Sequence, residues 1–241
     1  MKKILLLLTT VLALVGCTNK NNPNDKNLII GASATPHALI LENAAKPLLE
    51  KKGYKVTVKV INDYVTPNLM LNDGDLDANY FQHVPYLDDF NSKNGTNLKW
   101  ACKVHFEPMG IYSSKYSDLS KANPKVAIPN DTSNGKRARD LLASLNIQAN
   151  IVELEAQALP SVLQDVDYAV INGNYALSSN ILNKCLATED AESEIAQTNA
   201  NVIAVKSLDY SWVNDLKEAM LSEEVKNYIQ ATFGSAVKVV F

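Results

Sequence analysis

The sequence predicts an α/β fold, because segments that alternate like strands are followed repeatedly by segments with the period of helices. Strand-and-helix units of this kind begin near residues 28, 126 and 167, and a further strand precedes an amphipathic C-terminal segment. The polar clusters "GASATPH", "INDYVTPN", "IPNDTSN" and "INGN" stand where strands end. Because ligands in such sheets bind outside the carboxyl ends of the strands, these clusters predict one shared crevice between two lobes.

The first unit occupies residues 28–61. Residues 28–30 form a short apolar strand, and Thr35 with Pro36 supplies a helix cap and a proline for the first turn. Gly53 ends the helix, after which "YKVTVKVI" alternates as a strand does. A β-α-β unit of this kind predicts two parallel strands joined by a right-handed crossover.

The later units follow the same order. "KVAIPNDTSNGKRARDLLASLN" contains a strand over 126–128, a polar capping loop and a helix. "VDYAVINGNYALSS" contains a strand over 167–171 and a helix that begins at "NGNYA", and "ANVIAVKS" is a further strand. The segment "YSWVNDLKEAMLSEEVKNYIQATFG" predicts one long amphipathic helix that ends at Gly234.

The N-terminal segment "MKKILLLLTTVLALVGC" predicts a secretory signal peptide over residues 1–16. Its apolar run is shorter than the roughly 20 residues that cross a bilayer. The last four residues of the segment are similar to a lipobox, so cleavage before Cys17 and acylation of that cysteine are expected. Residues 17–27 then form the lipidated cysteine and a flexible polar tether. The mature protein would be anchored by lipid to the bacterial cell membrane, facing the periplasm or the cell exterior.

Composition excludes several classes of function. The chain is 46% hydrophobic and 20% charged, with a formal net charge of -3, so no basic surface for nucleic acid is indicated. Cys102 and Cys185 form no CxxC pair; they could form a disulfide, but two separate buried thiols are favoured. His37, His83 and His105 have no partner at a metal-ligand spacing, so no metal or other cofactor is expected.

Enzyme motifs are missing from the sequence as well. It contains no G-x-S-x-G elbow, no G-x-G-x-x-G and no G-x-x-x-x-G-K-[ST], and no acid, base or nucleophile constellation supports catalysis. The protein is therefore expected not to be an enzyme.

Three polar residues are candidates for binding the charged groups of a small ligand. Arg137 begins a helix behind a Ser/Asn/Gly loop, where its guanidinium could bind a carboxylate; the alternative is a solvated surface arginine. Asn172 and Asn174 flank Gly173 directly after a strand, and their amides could bind both an ammonium and a carboxylate. Their alternative role is to form a turn, which Asn-Gly favours without any ligand.

The apolar part of such a ligand would contact aromatic side chains. The aromatic candidates are Tyr64, Tyr80, Phe81 and Tyr112, each of which could equally belong to the core. The residues alone thus indicate an exported α/β protein that binds a small polar molecule with an apolar part.

Five segments between residues 31 and 177 resemble the NlpA lipoprotein family, and within it the methionine-binding (MetQ-type) solute-binding lipoproteins of ABC importers. They are "GASATPHALIL", "NDYVTPNLMLNDGDLDANYFQHVPYLDDFN", "VHFEPMGIYS", "VAIPNDTSNGKRA" and "LEAQALPSVLQDVDYAVINGNYAL". The second of these is long enough to make coincidence negligible. The resemblance extends over nearly the whole mature chain and is looser in the last forty residues.

This resemblance implies a periplasmic-binding-protein fold of two α/β lobes, each with a central sheet, joined by hinge strands. Lobe 1 would comprise 28–112 plus 202–241, and lobe 2 would comprise 113–201. L-methionine or a close relative would bind between the lobes and pass to a membrane permease and, through it, a cytoplasmic ATPase. The protein would act as a monomer.

The resemblance also assigns roles to the candidate residues. Arg137 would bind the α-carboxylate, and Asn172, with Asn174, the amino-acid head. Tyr64, Phe81 and Tyr112 would surround the thioether, and the same pocket wall would contain Tyr80 and His83.

The sequence departs from the family at one place. After "RARDLLASLNI" the family carries an extra segment of roughly two dozen residues, whereas here "QANIVELEA" follows almost at once. The second lobe is therefore expected to be trimmed, with its ligand-bearing segments kept. Two alternatives stay open: a surface lipoprotein or adhesin that retains the fold, and a binder of a methionine-containing dipeptide.

Overall fold

The computed structural model describes residues 26–241, so the signal peptide, Cys17 and most of the tether lie outside the described residues. The described chain forms two β-sheets with helices packed around them, which confirms the predicted two-lobed α/β class. The strands, in chain order, are β1 (Asn27–Ala32), β2 (Lys55–Val60), β3 (Ala78–His83), β4 (Lys99–Phe106), β5 (Gly110–Tyr112), β6 (Lys125–Pro129), β7 (Asn150–Leu154), β8 (Tyr168–Ile171), β9 (Cys185–Thr188), β10 (Asn201–Val205) and β11 (Lys238–Val239).

Helices connect these strands. Two helical segments, Ala34–Ala38 and Leu41–Ala45, lead into the first α-helix. The α-helices are α1 (Lys46–Lys51), α2 (Thr66–Asp73), α3 (Val84–Asn94), α4 (Thr132–Ser144), α5 (Gly173–Ser178), α6 (Ile195–Thr198), α7 (Ser211–Met220) and α8 (Glu223–Phe233). Short 3₁₀ turns cover Ala156–Val162, Leu182–Lys184 and Gly234–Ala236.

The first sheet has six strands in the order β11-β4-β10-β3-β1-β2. β1 pairs in parallel with β2, from Asn27 opposite Lys55 to Ala32 opposite Val60, as the predicted β-α-β unit requires. β10 runs antiparallel between β3 and β4, so the chain returns from the second sheet into the middle of the first. The largest core packs on this sheet, around fully buried side chains such as Ile30 and Leu41.

The second sheet has five strands in the order β7-β6-β8-β5-β9. β6 pairs in parallel with β7 and β8, which agrees with the second and third predicted units. Because β5 belongs to this sheet, the chain crosses between the sheets at residues 107–109 and again at 189–200. The first predicted lobe boundary, 112/113, lies a few residues after the first crossing. The second predicted boundary, 201/202, lies at the start of β10, directly after the second crossing.

The C-terminal segment is two helices, so the prediction of one long helix was wrong. α7 ends at Met220 and α8 begins after Ser222, whose hydroxyl accepts a hydrogen bond of 3.2 Å from the Val225 amide. Glu223 and Glu224 occupy the first turn of α8, where negative charge is favourable. "SEEV" was therefore a helix start inside an uninterrupted amphipathic pattern.

Two further sequence predictions concern the cysteines and the membrane. Cys102 and Cys185 are both free thiols; Cys102 is buried as expected, while Cys185 is only half-buried. Within residues 26–241, none of the helices has the length and apolar character that crossing a membrane demands.

Candidate functional site

A cavity of about 330 Å³ lies between the two sheets. Both lobes and the first crossing contribute to its lining, which consists of Tyr64, Phe81, Gln82, His83, Tyr86, Glu107, Asn134, Arg137, Asn172, Gly173, Asn174 and Asn201. The structure therefore brings six of the eight predicted site residues to one enclosed space; Tyr80 and Tyr112 lie elsewhere.

Strand β3 carries the predicted cluster Asn79 to His83 and contains a β-bulge. Val202 of β10 pairs with Gln82 but the next residue, Ile203, pairs with Tyr80, so Phe81 has no partner on β10. The next two residues, Gln82 and His83, consequently line the cavity together with Phe81, while Tyr80 faces the main core. Simple strand alternation would not place three consecutive side chains on one cavity.

Tyr80 and Tyr112 are both buried outside the cavity. The Tyr80 hydroxyl bonds to the imidazole of His105, and its ring meets the edge of His37 at a centroid distance of 4.6 Å. Tyr112 belongs to the core of the second lobe. It lines a separate open cleft beside the two crossings.

The first-lobe side of the cavity is formed by three aromatic rings, Tyr64, Phe81 and Tyr86, which we call the ring wall. The Tyr64 ring lies 5.7 Å from each of the other two rings, in tilted or edge-on arrangements that aromatic side chains prefer. The Tyr86 hydroxyl donates to the Tyr64 carbonyl at 2.8 Å, which fixes the two tyrosines relative to each other. The ring wall offers an apolar face with polarizable edges.

The second-lobe side is formed by Asn134, Arg137, Asn172 and Asn174, which we call the polar wall. Asp131, the residue before α4, sets its orientation. The Asp131 carboxylate accepts from the Asn134 amide N–H at 2.8 Å and from Asn134 Nδ2 at 3.0 and 3.1 Å. Asn134 Oδ1 must therefore point toward the cavity.

This orientation of Asn134 determines the donors around it. His83 Nδ1 accepts from the Tyr86 amide at 3.2 Å, so the proton lies on His83 Nε2, which donates to Asn134 Oδ1 at 3.1 Å. Asn172 Nδ2 donates to the same oxygen at 2.9 Å. Burial, reinforced by the charge of Arg137, lowers the pKa of His83 to about 3, so the imidazole is neutral at physiological pH.

Asn172 is left with an unsatisfied acceptor. Since its Nδ2 bonds to Asn134, its Oδ1 is the amide oxygen that remains, and this buried atom has no hydrogen-bond partner among the described residues. Asn172 itself is only 7% exposed, so bulk water does not satisfy the oxygen. A buried acceptor without a donor costs about 1–3 kcal/mol, which a ligand N–H would recover.

Arg137 is buried and paired with Glu189. Its Nε and Nη2 donate to the two carboxylate oxygens at 2.6 and 2.5 Å, and Nη2 also donates to the Glu107 carbonyl at 2.9 Å. Nη1 forms no hydrogen bond within residues 26–241, and the side chain lines the cavity. The remaining donor can therefore bind an acceptor in the cavity, while the charge of the guanidinium is balanced by Glu189.

Asn174 joins the two walls. Its Oδ1 accepts from the Tyr64 hydroxyl at 2.6 Å, and nearby the Tyr175 hydroxyl donates to the Asn62 carbonyl at 2.6 Å. Both bonds run between the lobes, so the cleft is closed. Beyond them lies an open space of about 1,130 Å³ whose lining includes Tyr64, Tyr86 and Tyr175.

A second polar group, centred on the lining residue Glu107, lies at the first crossing. Glu107 Oε1 is 2.7 Å from His105 Nε2 and 3.3 Å from His37 Nε2. His105 Nε2 donates to the Glu107 carboxylate, whereas His37 Nε2 donates to Asn201 Oδ1 at 3.0 Å and lies near Glu107 without being hydrogen-bonded to it. Sequence spacing separated the two histidines, whereas the fold brings their rings within 4.9 Å.

These three side chains are also within 4.8 Å of one another at their potential metal-binding atoms. Each of those atoms already takes part in a hydrogen bond, so the cluster is explained without an ion. Burial lowers the pKa of His37 to about 4 and that of His105 to about 3, and it raises the pKa of Glu107 to about 7.

Sequence reasoning missed several lining residues, which are Gln82, Tyr86, Glu107, Asn134, Gly173 and Asn201. Signals for two of them were present: Asn134 belongs to the polar cluster "IPNDTSN", and Glu107 is an acid inside the apolar stretch "VHFEPMG". Gly173 is needed because a Cβ there would lie 2.7 Å from the Cβ of Glu107. Only glycine allows α5 to approach the first crossing so closely.

The chain is similar in sequence to a known family of lipoproteins. The model of the NlpA lipoprotein family matches residues 28–149 and 145–241. The chain is 34% identical to the methionine-binding lipoprotein MetQ of Bacillus subtilis, over 97% of this chain and 95% of that protein.

Solved structures are similar over most of the chain as well. A nutrient binding protein from Burkholderia cenocepacia bound to methionine has a TM-score of 0.82 and 36% identity, covering 89% of this chain and 100% of that one. An ABC transporter periplasmic substrate-binding protein from Coxiella burnetii has a TM-score of 0.81 and 33% identity, covering 88% and 100%.

Proposed function

Because the chain belongs to the NlpA lipoprotein family, we propose that it is the substrate-binding lipoprotein of an ABC importer and encloses L-methionine or a close relative between its lobes. The observation that carries this proposal is the buried, unpartnered Oδ1 of Asn172, aimed into a closed cavity between two lobes. An amide oxygen in that position is suited to an ammonium or amide N–H of a ligand.

The amino-acid head would bind at the polar wall. Asn172 Oδ1 accepts from the ligand's amino group, and Arg137 Nη1 donates to its carboxylate. Asn174, already bonded to Tyr64, holds the lobes together over the bound ligand. His83 acts through Asn134, since its Nε2 is engaged there rather than free in the cavity.

The side chain would lie against the ring wall. A thioether contacts aromatic edges favourably, by about 0.3–1.5 kcal/mol, and Tyr64, Phe81 and Tyr86 present such edges. The Bacillus subtilis relative is named for methionine binding and the Burkholderia structure holds methionine, which supports the same ligand class here. Tyr80 and Tyr112 are not used in this proposal, because neither lines the cavity.

The partners follow from the same proposal. A membrane permease and its cytoplasmic ATPase would receive the ligand, as expected for a relative of an ABC transporter substrate-binding protein. Cys17 would carry the lipid that holds the protein, as a monomer, at the membrane surface.

The first experiment is mass spectrometry of small molecules released when the full-length protein, solubilised in detergent, is purified and denatured. One equivalent of methionine, or of a methionine dipeptide, supports the proposal and identifies the cargo. If the extract is empty, L-methionine, D-methionine and a methionine dipeptide are added separately. A ligand of the native state must raise the melting temperature. No rise with any of them would contradict the transport function and favour the adhesin alternative.

A further inference from the structure

Glu107 occupies an unusual position at the first crossing between the lobes. It follows the last residue of β4, it is 5% exposed, and its side chain lines the ligand cavity. Its Oε2 lies 3.2 Å from the position of a Cβ on Gly173, directly beside Asn172. The carboxyl group is therefore next to the residue that supplies the unpartnered acceptor.

The charges around the cavity do not balance. Glu107 and Arg137 are the charged side chains in its lining, and Arg137 is neutralised by its two hydrogen bonds with Glu189. The histidine that lines the cavity, His83, is neutral. Glu107 therefore has no Lys or Arg ion-pair partner within residues 26–241, and the charge of Arg137 offsets its burial only in part, which is unfavourable for the carboxylate.

The groups that face Glu107 from each packed element are neutral or distant donors. His105 of β4 donates to Oε1 as a neutral imidazole, and the backbone amide of Asn174 in α5 donates to the carboxylate. The neutral imidazole of His37, in the Ala34–Ala38 segment, lies 3.3 Å from Oε1 but donates to Asn201 Oδ1. Arg137 of α4 approaches the Glu107 carbonyl rather than its carboxylate. The phenols nearby, Tyr64, Tyr80 and Tyr112, are held neutral because burial raises their pKa values.

We propose that Glu107 is the anionic partner of the ligand's ammonium group, and that binding of the ligand displaces a proton from this carboxyl into solvent. The geometry fits this role, because the His105 imidazole N–H holds Oε1 while Oε2 lies 3.2 Å from the Cβ position of Gly173, the residue after Asn172. The ammonium would then lie between Glu107 and Asn172 Oδ1. Glu107 is a specificity-determining residue: it selects ligands that carry an amine.

The proton balance of this step is simple. In the empty cleft, burial raises the pKa of Glu107 to about 7, so part of the population carries a proton on the carboxyl. The ammonium of the ligand keeps its own protons and favours the ionised carboxylate, which lowers that pKa. Binding is therefore strongest above the pKa of the empty protein and weakens as the pH falls below it.

Calorimetry with the wild-type protein tests the proton directly. Titration of L-methionine at pH 6.0 in two buffers with different ionisation enthalpies gives the number of protons released. We expect about 0.9 protons per ligand at pH 6 and about 0.1 at pH 8, the fractions of a carboxyl that titrates near 7. The dissociation constant should rise about tenfold for each pH unit below 7. Release of no proton at pH 6 would overturn the proposal.

A variant separates charge from shape. Glu107→Gln keeps the size of the side chain, and Glu153→Gln on the exposed edge of the second sheet is the matched control. Methionine should bind Glu107→Gln about 10- to 100-fold more weakly than wild type. The analogue 4-(methylthio)butanoate, which lacks the amine, should lose nothing. Equal losses for both ligands would reduce Glu107 to a structural residue.

This inference rests on the proposed function, and the two can fail separately. If methionine binds wild type and Glu107→Gln equally well, with no proton release, the transport function stands and the role of Glu107 falls. If no methionine species binds wild type, both fall. Should Glu107→Gln not fold, as judged by circular dichroism, the wild-type proton count still decides the question.

Discussion

The two sides of the cavity are held in different ways. The ring wall is fixed by contacts between aromatic faces and edges, which tolerate small displacements because they are weakly directional. In the polar wall, the orientation of Asn134 and Asn172 traces back through hydrogen bonds to Asp131, and Arg137 is fixed by Glu189. A loss in the polar wall should therefore be more severe than a comparable loss in the ring wall, because it leaves a buried partner unsatisfied.

The largest effect is expected from Arg137→Ala. This change leaves the Glu189 carboxylate buried, with side-chain exposure of 3%, and without its cation. We expect the free energy of unfolding to fall by about 3–5 kcal/mol, measured by urea denaturation. Arg139→Ala, two residues along the same helix, is the control: its partner Glu153 is 49% exposed, so about 0–1 kcal/mol should be lost. Similar losses for both variants would contradict a special role of the buried pair.

Asn172→Ala should weaken ligand binding more than it affects folding. The variant removes the acceptor of the ligand amine and also the donor to Asn134. We expect the dissociation constant for methionine to rise by about 10- to 100-fold, the equivalent of about 1–3 kcal/mol. Isothermal titration calorimetry measures this, with Asn227→Ala on the exposed face of α8 as the control. An unchanged affinity would remove Asn172 from the site.

The buried, neutral His83 predicts that the free energy of unfolding depends on pH. Burial lowers the pKa of His83 to about 3 in the folded protein, against 6.5 for an unperturbed histidine. Below pH 6.5 the unfolded chain therefore binds a proton that the folded chain does not, so stability falls as the pH falls. His83→Gln should remove about 1.4 kcal/mol per pH unit from this decline. Urea denaturation of both proteins at pH 7.5, 6 and 5 tests it; parallel pH profiles would mean that His83 is protonated in the fold.

Tyr64→Phe should have the smallest effect, and it probes the ring wall where it meets the polar wall. The variant keeps the aromatic ring and removes only the hydroxyl that donates to Asn174 Oδ1 at 2.6 Å. We expect the loss of this hydrogen bond to weaken the closed complex by about 1 kcal/mol, so that methionine dissociates about fivefold faster. Stopped-flow displacement measures the rate, with Tyr210→Phe, outside the cavity, as the control. An effect as large as that of Asn172→Ala would remove the distinction between the two walls.

Much of the fold followed from periodicity, since β1, β2, β6 and β8 lie where alternation placed them. The family resemblance extended this to the polar wall, whose residues come from short polar segments after strands. Two features needed the coordinates. The bulge in β3, which lets Gln82 line the cavity together with Phe81 and His83, depends on pairing with β10, more than a hundred residues later. The cluster of Glu107 with His37 and His105 joins distant positions that no spacing rule relates.

The family resemblance also predicted that the second lobe is shortened after α4, away from the ligand-bearing segments. The sequence predicted a shorter connection after α4, and the structure passes from Ser144 to β7 within residues 145–149. The two matches to the family model meet in this same region. None of the cavity residues lies within residues 145–149.

The position of the two crossings has a mechanical consequence. Residues near a pivot move little when two bodies rotate apart, and Glu107, Glu189 and Arg137 all lie there, tied by the Met109 amide, which donates to Glu189 at 2.7 Å. The Tyr64–Asn174 and Tyr175–Asn62 bonds join the two lobes, so a rotation that opens the cleft must break both. In the open protein, Glu107, Glu189 and Arg137 would therefore already be in position when the charged end of a ligand binds. Tyr64 and Tyr175 would form their bonds across the cleft after the ligand has entered, and these bonds would then set the dissociation rate of the ligand.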